Sequence, residues 1–277
     1  MSCETAWPDS EMLAFDLETT GVDCFADVPV AFALVRVRAG LLVGTTAAYV
    51  DAGLEIPAAA TAVHGITTAH VRAAGVPLAT AVVFLAGELV AASSSGVPIV
   101  GMNLDYDLTM LDVLHRRIAG TGLLERGFRG PVLDALVLDR HLDKFRRGRR
   151  TLADLCAHYG VTLARAHDAA ADARAAADVV SAMCRSYPEL SVLSLEDLHA
   201  LQGDWHREWT TSFTEWRRRM GMSPPDDMGG AWPIARSRSR PRTLLPTLRR
   251  RMAAWLRARV GGGTARAHRQ RPATPVR

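Results

Sequence analysis

The chain has 277 residues and a formal charge of +4, carried by 33 Lys and Arg against 29 Asp and Glu. That length holds one ample domain plus further material. No run approaches the ~18 apolar residues of a membrane span, Met1 to Pro8 has neither the basic region nor the apolar core of a secretory signal, and Cys3, Cys24, Cys156 and Cys184 lack the paired spacing of a zinc or redox motif, so the reading is a cytoplasmic protein with reduced thiols.

The first predicted element is the apolar run Met12-Leu13-Ala14-Phe15, which continues through Asp16-Leu17-Glu18 into the polar turn Thr19-Thr20-Gly21. This reads as a buried strand and its exit. Side chains alternate along a strand, so Asp16 and Glu18 share a face, about 7 Å apart. Two such carboxylates repel when both are ionised unless cations sit between them, and hard divalent cations prefer oxygen ligands. Pro29 to Val37 and Leu41 to Val50, separated by Ala39-Gly40, predict a hairpin. A helical stretch from Pro77 to Ala92 then leads back to an apolar strand beginning at Val97.

Leucines 104, 108, 111 and 114 predict the next helix, with Asp107 in its first turns just beyond a strand end. Ligands of open sheets sit at strand ends, which places Asp107 well to join a metal site, while Asp105 is expected to face elsewhere. The cluster Arg146-Arg147-Gly148-Arg149-Arg150 precedes a helix beginning near Thr151 and fits either a solvated loop or a grip on phosphates. The alanine-rich stretch from His167 to Asp178 is a strong helix former. Asp172 lies inside that helix and His167 at or before its start, where an imidazole can deprotonate a water near neutral pH.

These elements, strands first and then alternating helices and strands, form one expected α/β domain. Ser194 opens a helix over 194–221 with a capping pattern, and Leu198, Leu201, Trp205, Trp209, Trp216 and Met220 form one face. The expected role of this face is packing on the domain, with docking of a partner or of bases as the alternative. Residues 223–277 read as a flexible Arg/Pro-rich tail: 13 arginines against two acids give it +11, while the first 222 residues carry 20 basic groups against 27 acids, or −7. Within it, Leu244, Leu245, Leu248, Met252, Trp255, Leu256 and Val260 repeat at helical spacing among arginines, as in a basic amphipathic helix. Such a tail suits sequence-independent contacts to phosphates.

Taken together, Phe15-Asp16-Leu17-Glu18-Thr19-Thr20-Gly21, Asn103 with Tyr106-Asp107, and His167 with Asp172 resemble the DEDDh branch of the DnaQ-like 3'-to-5' exonucleases, which includes the proofreading subunit of bacterial replicative DNA polymerase. In the sister branch a Tyr stands four residues before the last Asp; here that position is Asp168. Val63-His64-Gly65-Ile66 also looks like the family's segment lining the pocket of the terminal nucleotide, and Asp134 and Thr151 to Leu155 match its intervening segments. Met102 departs from the His that many relatives carry before the Asn.

The resemblance covers about residues 10–187 and implies an α/β, ribonuclease H-like mixed sheet flanked by helices; the C-terminal helix and the basic, largely disordered tail read from pattern and composition follow that domain. It implies a 3'-to-5' exonuclease that hydrolyses the terminal phosphodiester of DNA and releases nucleoside 5'-monophosphates. Asp16, Glu18, Asp107 and Asp172 would hold two divalent cations, Mg2+ or Mn2+, with His167 as base and Thr19, Thr20, Gly21, His64, Ile66, Asn103 and Tyr106 against the substrate. The expected partners are a nucleic-acid 3' end, with single-stranded DNA favoured, and a polymerase or another protein. The alternatives are the same chemistry on RNA or short oligoribonucleotides, and a non-catalytic nucleic-acid or polymerase-binding module.

Overall fold

A computed structural model of the chain describes residues 7–223 and 231–235; the basic helix expected within 244–260 and most of the Arg/Pro-rich tail lie outside the described residues. Strand β1 (Glu11–Thr19) is central. It pairs antiparallel with β2 (Pro29–Arg38) from Glu11 opposite Arg38 to Thr19 opposite Pro29, and parallel with β5 (Ile99–Gly101). Beyond β2 lie β3 (Leu41–Asp51) and the short β4 (Val76–Pro77); beyond β5 lies the parallel edge strand β6 (Val132–Asp134). The sheet order is β4-β3-β2-β1-β5-β6. Because β1, β5 and β6 run the same way, Glu18, Gly101 and Asp134 come to one end of the sheet.

Helices cover both faces, so β1 is apolar on both sides until its last residues. On one face α7 (Ala169–Ser186) packs with α5 (Ala135–Leu142) and α6 (Leu152–Tyr159). Met12 and Ala14 belong to the core on that face, with Val35, Val100, Ala173, Ala177, Val180 and Met183. Strand alternation then turns Asp16 and Glu18 towards α7 as well. The opposite face carries α3 (Leu78–Ser94) and α4 (Leu104–Ala119). Between β3 and β4 lie α1 (Ala58–His64) and α2 (Thr68–Ala74), joined by a left-handed Gly65 with φ 74°. The expected hairpin forms, but the first half of β3 stands largely out in solvent, with Leu41 72% exposed.

After the short α8 (Glu189–Val192), the helix α9 (Leu195–Arg219) is capped by Ser194, whose hydroxyl accepts from the Asp197 N–H at 3.0 Å. Its packing face coincides only in part, at Leu198 and Trp205, with the Trp stripe read in the sequence. The buried residues are Leu198, Gln202, His206 and Thr210, one per helical turn and mostly polar. The reason is the edge of β6, which presents unpaired backbone groups. Gln202 accepts from the Asp134 N–H at 2.8 Å and donates to the Val132 carbonyl at 2.9 Å, and His199 accepts from the Val132 N–H at 3.2 Å. Trp205 and Trp209 are half-buried beside this stripe, while Trp216 and Met220 are exposed. Residues 231–235 return to the body: the Trp232 ring lies 5.1 Å from that of His199, and the Ala235 N–H donates to the Thr109 hydroxyl at 2.8 Å.

Candidate functional site

Five ionisable side chains meet where the parallel strands end. Asp16 and Glu18 arrive on β1. Asp107 arrives in the first turn of α4, whose start is fixed by Asp134: its two carboxylate oxygens accept from the N–H groups of Asn103 and Leu104 at 3.0 and 2.8 Å. The same carboxylate caps α5 by accepting from Leu136 at 2.9 Å, so one buried side chain joins two helix starts. Asn103 takes up the sharp change of direction with a left-handed backbone, φ 64°. Asp172 comes from the first turn of α7, which Asp168 caps by accepting from the Ala171 N–H at 3.2 Å. His167 precedes this cap, also left-handed at φ 63°, and its N–H donates to Asp172 Oδ2 at 3.0 Å. One ligand atom each from Glu18, His167 and Asp172 lie within 4.8 Å of one another.

The acids disfavour one another's ionised forms. Burial, and then the charges of Asp107, Glu18 and Asp172, hold Asp16 well above the ordinary carboxylate range. Burial and the neighbouring Asp105 and Asp134 do the same to Asp107. Glu18 is pushed up to about 7 by burial and by Asp172 and Asp168. Asp172 is raised by burial, with the His167 N–H opposing. Asp105 thus contributes its charge to the field of this site. An excess of buried negative charge is relieved by protons or by cations. The buried Asp172 Oδ1 has no hydrogen-bond partner in the protein, and a set of carboxylate oxygens with one imidazole suits hard divalent cations. The residues present fit a metal.

The family model described as RNase T exonuclease matches residues 13–180, a span that includes all five groups. The chain belongs to the exonuclease family. Among curated relatives, the PolC-type DNA polymerase III of Caldanaerobacter subterraneus subsp. tengcongensis is 25% identical over 193 residues, which are 70% of this chain and 13% of that protein. The corresponding protein of Halalkalibacterium halodurans is 27% identical over 202 residues, 72% and 13% of the two chains. The chain thus matches only a small part of these polymerases. Among solved structures, E. coli Exonuclease I in complex with a dT13 oligonucleotide aligns with a TM-score of 0.55 at 22% identity, over 65% of this chain and 42% of that one. A moderately thermophilic Exonuclease I from Methylocaldum szegediense aligns with a TM-score of 0.53 at 21% identity, over 66% and 42%. The ribonuclease H-like, DnaQ-like fold expected from the motifs is the fold this chain has.

Several of the exonuclease's expected substrate contacts have structural partners of their own. The Tyr106 hydroxyl donates to the Gly21 carbonyl at 2.5 Å and lies 3.1 Å from the Thr19 hydroxyl, which donates to the same carbonyl at 2.7 Å. Thr20 is buried and donates to Asp27 at 2.8 Å. A Cβ on Gly21 would come 2.5 Å from an Asp27 carboxylate oxygen, which explains the glycine. Thr19, Thr20 and Tyr106 thus brace the exit of β1 beside Glu18. Ile66 packs with Val30, Ala31, Ile56 and Val71. Its N–H donates to His64 Nδ1 at 3.0 Å, which leaves the neutral ring's proton on Nε2. His64 titrates below an ordinary histidine, through burial first and His167 also. The Asn103 side chain is exposed.

The arginine cluster is divided. Arg146 donates to the fully buried Asp139 at 2.8 Å, and Arg150 pairs with the same carboxylate, which also accepts from the Tyr159 hydroxyl at 3.0 Å. These two arginines anchor the loop, and of the cluster's four arginines Arg147 and Arg149 are exposed. Asp27, Asp139 and Gln202 escaped the sequence reading: the first two act through loop partners at no periodic spacing, and Gln202 through residues that lie 68 and 70 positions away.

Proposed function

We propose that the chain is a metal-dependent 3'-to-5' exonuclease that hydrolyses the last phosphodiester of single-stranded DNA and releases nucleoside 5'-monophosphates. The observation that carries this reading is the convergence, inside the family-matched span, of Asp16, Glu18, Asp107 and Asp172 with the imidazole of His167. The four carboxylates would hold two divalent cations, Mg2+ or Mn2+. When bound, such ions stabilise charge on the phosphoryl oxygens and make water a better nucleophile.

The protein's own groups divide the remaining work. His167 is exposed at the entry to α7 while its backbone is tied to Asp172, so its ring can accept the proton of the attacking water beside the acids. His64 Nε2–H, buried and within reach of the Thr19 backbone, is the donor this reading aims at an oxygen of the terminal nucleotide. The braced turn at Thr19 to Gly21 keeps the β1 exit rigid, as a positioned nucleophile requires. Single-stranded DNA as substrate is supported by the oligonucleotide in the E. coli Exonuclease I complex, and a polymerase as protein partner by the PolC-type relatives. A cytoplasmic setting accords with there being no helix, among the described residues, long and apolar enough to cross a membrane.

The test is incubation of the purified chain with labelled single-stranded DNA, duplex DNA and RNA, with Mg2+, Mn2+ or EDTA. Release of mononucleotides from the 3' end of single-stranded DNA, dependent on the cation, is expected. Binding without cation-dependent release would overturn the proposal, and preference for RNA would reassign the substrate.

A further inference from the structure

We infer that the C-terminal half of α9 is a stacking platform for the single-stranded nucleic acid upstream of the 3' end, an inference that rests on the exonuclease reading above. His199 bonds to Val132, and Gln202 bonds to both Val132 and Asp134, so α9 runs in the same direction as β6. Past Gln202 it therefore continues beyond the strand ends, on the side where the acids stand. At the helical rise, Trp216 lies about 21 Å further along the axis than Gln202.

Over that distance the helix carries a ladder of rings. Trp209 stacks on Phe213 with centroids 4.8 Å apart and planes 12° from parallel, and Phe213 stacks on Trp216 at 5.6 Å and 23°. The base of the ladder is fixed to the catalytic body. The Arg140 guanidinium lies 3.4 Å from the centre of the Trp209 ring, and the His141 ring stacks on Trp205 at 3.8 Å. Arg140 is also within electrostatic reach of Asp134 and Asp105 at the start of α4. The top is open, with Trp216 47% exposed.

Charge selects the occupant. Arg217, Arg218 and Arg219 close the helix, and of the acids in this stretch Glu215 is already placed 4.0 Å from Arg219. An apolar peptide would stack on the rings but leave Arg217 and Arg218 without counter-charge. A single strand offers both what the rings need and what the arginines need, because each base has a π-face and each linkage a phosphate.

The test compares the wild-type full chain with the Phe213→Ala/Trp216→Ala double variant, using kcat/KM on a trinucleotide and on a DNA strand of about 20 nucleotides at low salt. The long-to-short ratio should fall about tenfold in the double variant. Trp216→Phe should recover most of it, and thermal melting should confirm that both variants are folded. A wild-type ratio in the double variant would overturn the inference and leave the face to a protein occupant. If the wild type releases no nucleotide from either strand, the exonuclease reading fails instead. The platform is then judged by fluorescence anisotropy of the labelled strand: weaker binding by the double variant supports it, and equal binding overturns it.

Discussion

Replacing Gln202 with Leu should cost the protein a large share of its stability, although the two side chains are similar in size. Gln202 is fully buried, accepts from the Asp134 N–H at 2.8 Å, and donates to the carbonyls of Val132 and Leu198 at 2.9 and 3.1 Å. The Leu198 carbonyl is a helical group and keeps other partners. The N–H of Asp134 and the carbonyl of Val132 belong to an edge strand and lose theirs. A buried polar group deprived of its partner costs about 1–3 kcal/mol, so the two together should cost about 2–6 kcal/mol out of a total of about 5–15 kcal/mol. Gln202→Glu should fare little better, since it keeps an acceptor for Asp134 but turns a second acceptor towards the Val132 carbonyl. Urea unfolding followed by circular dichroism measures the loss directly. A loss below about 1 kcal/mol for Gln202→Leu, with an unchanged m-value, would refute the account of how α9 holds the β6 edge.

Four further outcomes concern the acids and two histidines. Asp16→Ala should abolish hydrolysis, and near-wild-type turnover in a single-turnover assay would contradict its role. His167→Ala should lower turnover by about 10²–10⁴-fold while Mn2+ binding measured by calorimetry persists; loss of both together would make His167 a ligand and not a base. Mg2+ should raise the melting temperature near pH 7.5 by relieving the repulsion around Asp16, and EDTA should reverse the gain; no shift at saturating Mg2+ would count against a metal site. His206, held down at about 4 by burial and the Arg140 charge, favours folding fully above the ordinary histidine pKa and loses that contribution as pH falls towards 4. Glu18, pushed up to about 7, has the opposite slope, with its contribution lost as pH rises through that value. The informative quantity is therefore the stability gap between wild type and His206→Leu, which should be wider at pH 7.5 than at pH 5 by about 2 kcal/mol. A gap independent of pH would contradict the proton account.

The sequence revealed most clearly what is both local and chemical. The apolar run ending at Asp16 and Glu18, the leucine-spaced helix carrying Asp107 and the alanine-rich helix carrying Asp172 all appear close to where they were expected. Elements without a pattern of their own were missed. Helix α1 buries none of its seven residues, and β4 has only two, so neither shows a readable period. The buried stripe of α9 was missed for a different reason. Hydrophobic spacing finds helices that bury oil, whereas Gln202, His206 and Thr210 form a polar stripe, and Gln202 there serves a strand edge. Similarly, Arg146 and Arg150 resemble free charges until Asp139 is seen between them.

The cover that α9 places over β6 also bears on where this protein can be cut. The family match ends at residue 180, and Gln202 lies beyond it. A fragment trimmed a little beyond that boundary, at the end of α7 after Ser186, would keep all four proposed metal-binding carboxylates and still bare a row of backbone donors and acceptors along one side of its sheet. Such a row is a template for another chain, so the trimmed fragment should self-associate by edge-to-edge pairing. The smallest well-behaved fragment of this chain is thus set by a hydrogen-bonding need and extends past the five site residues into the helix that follows.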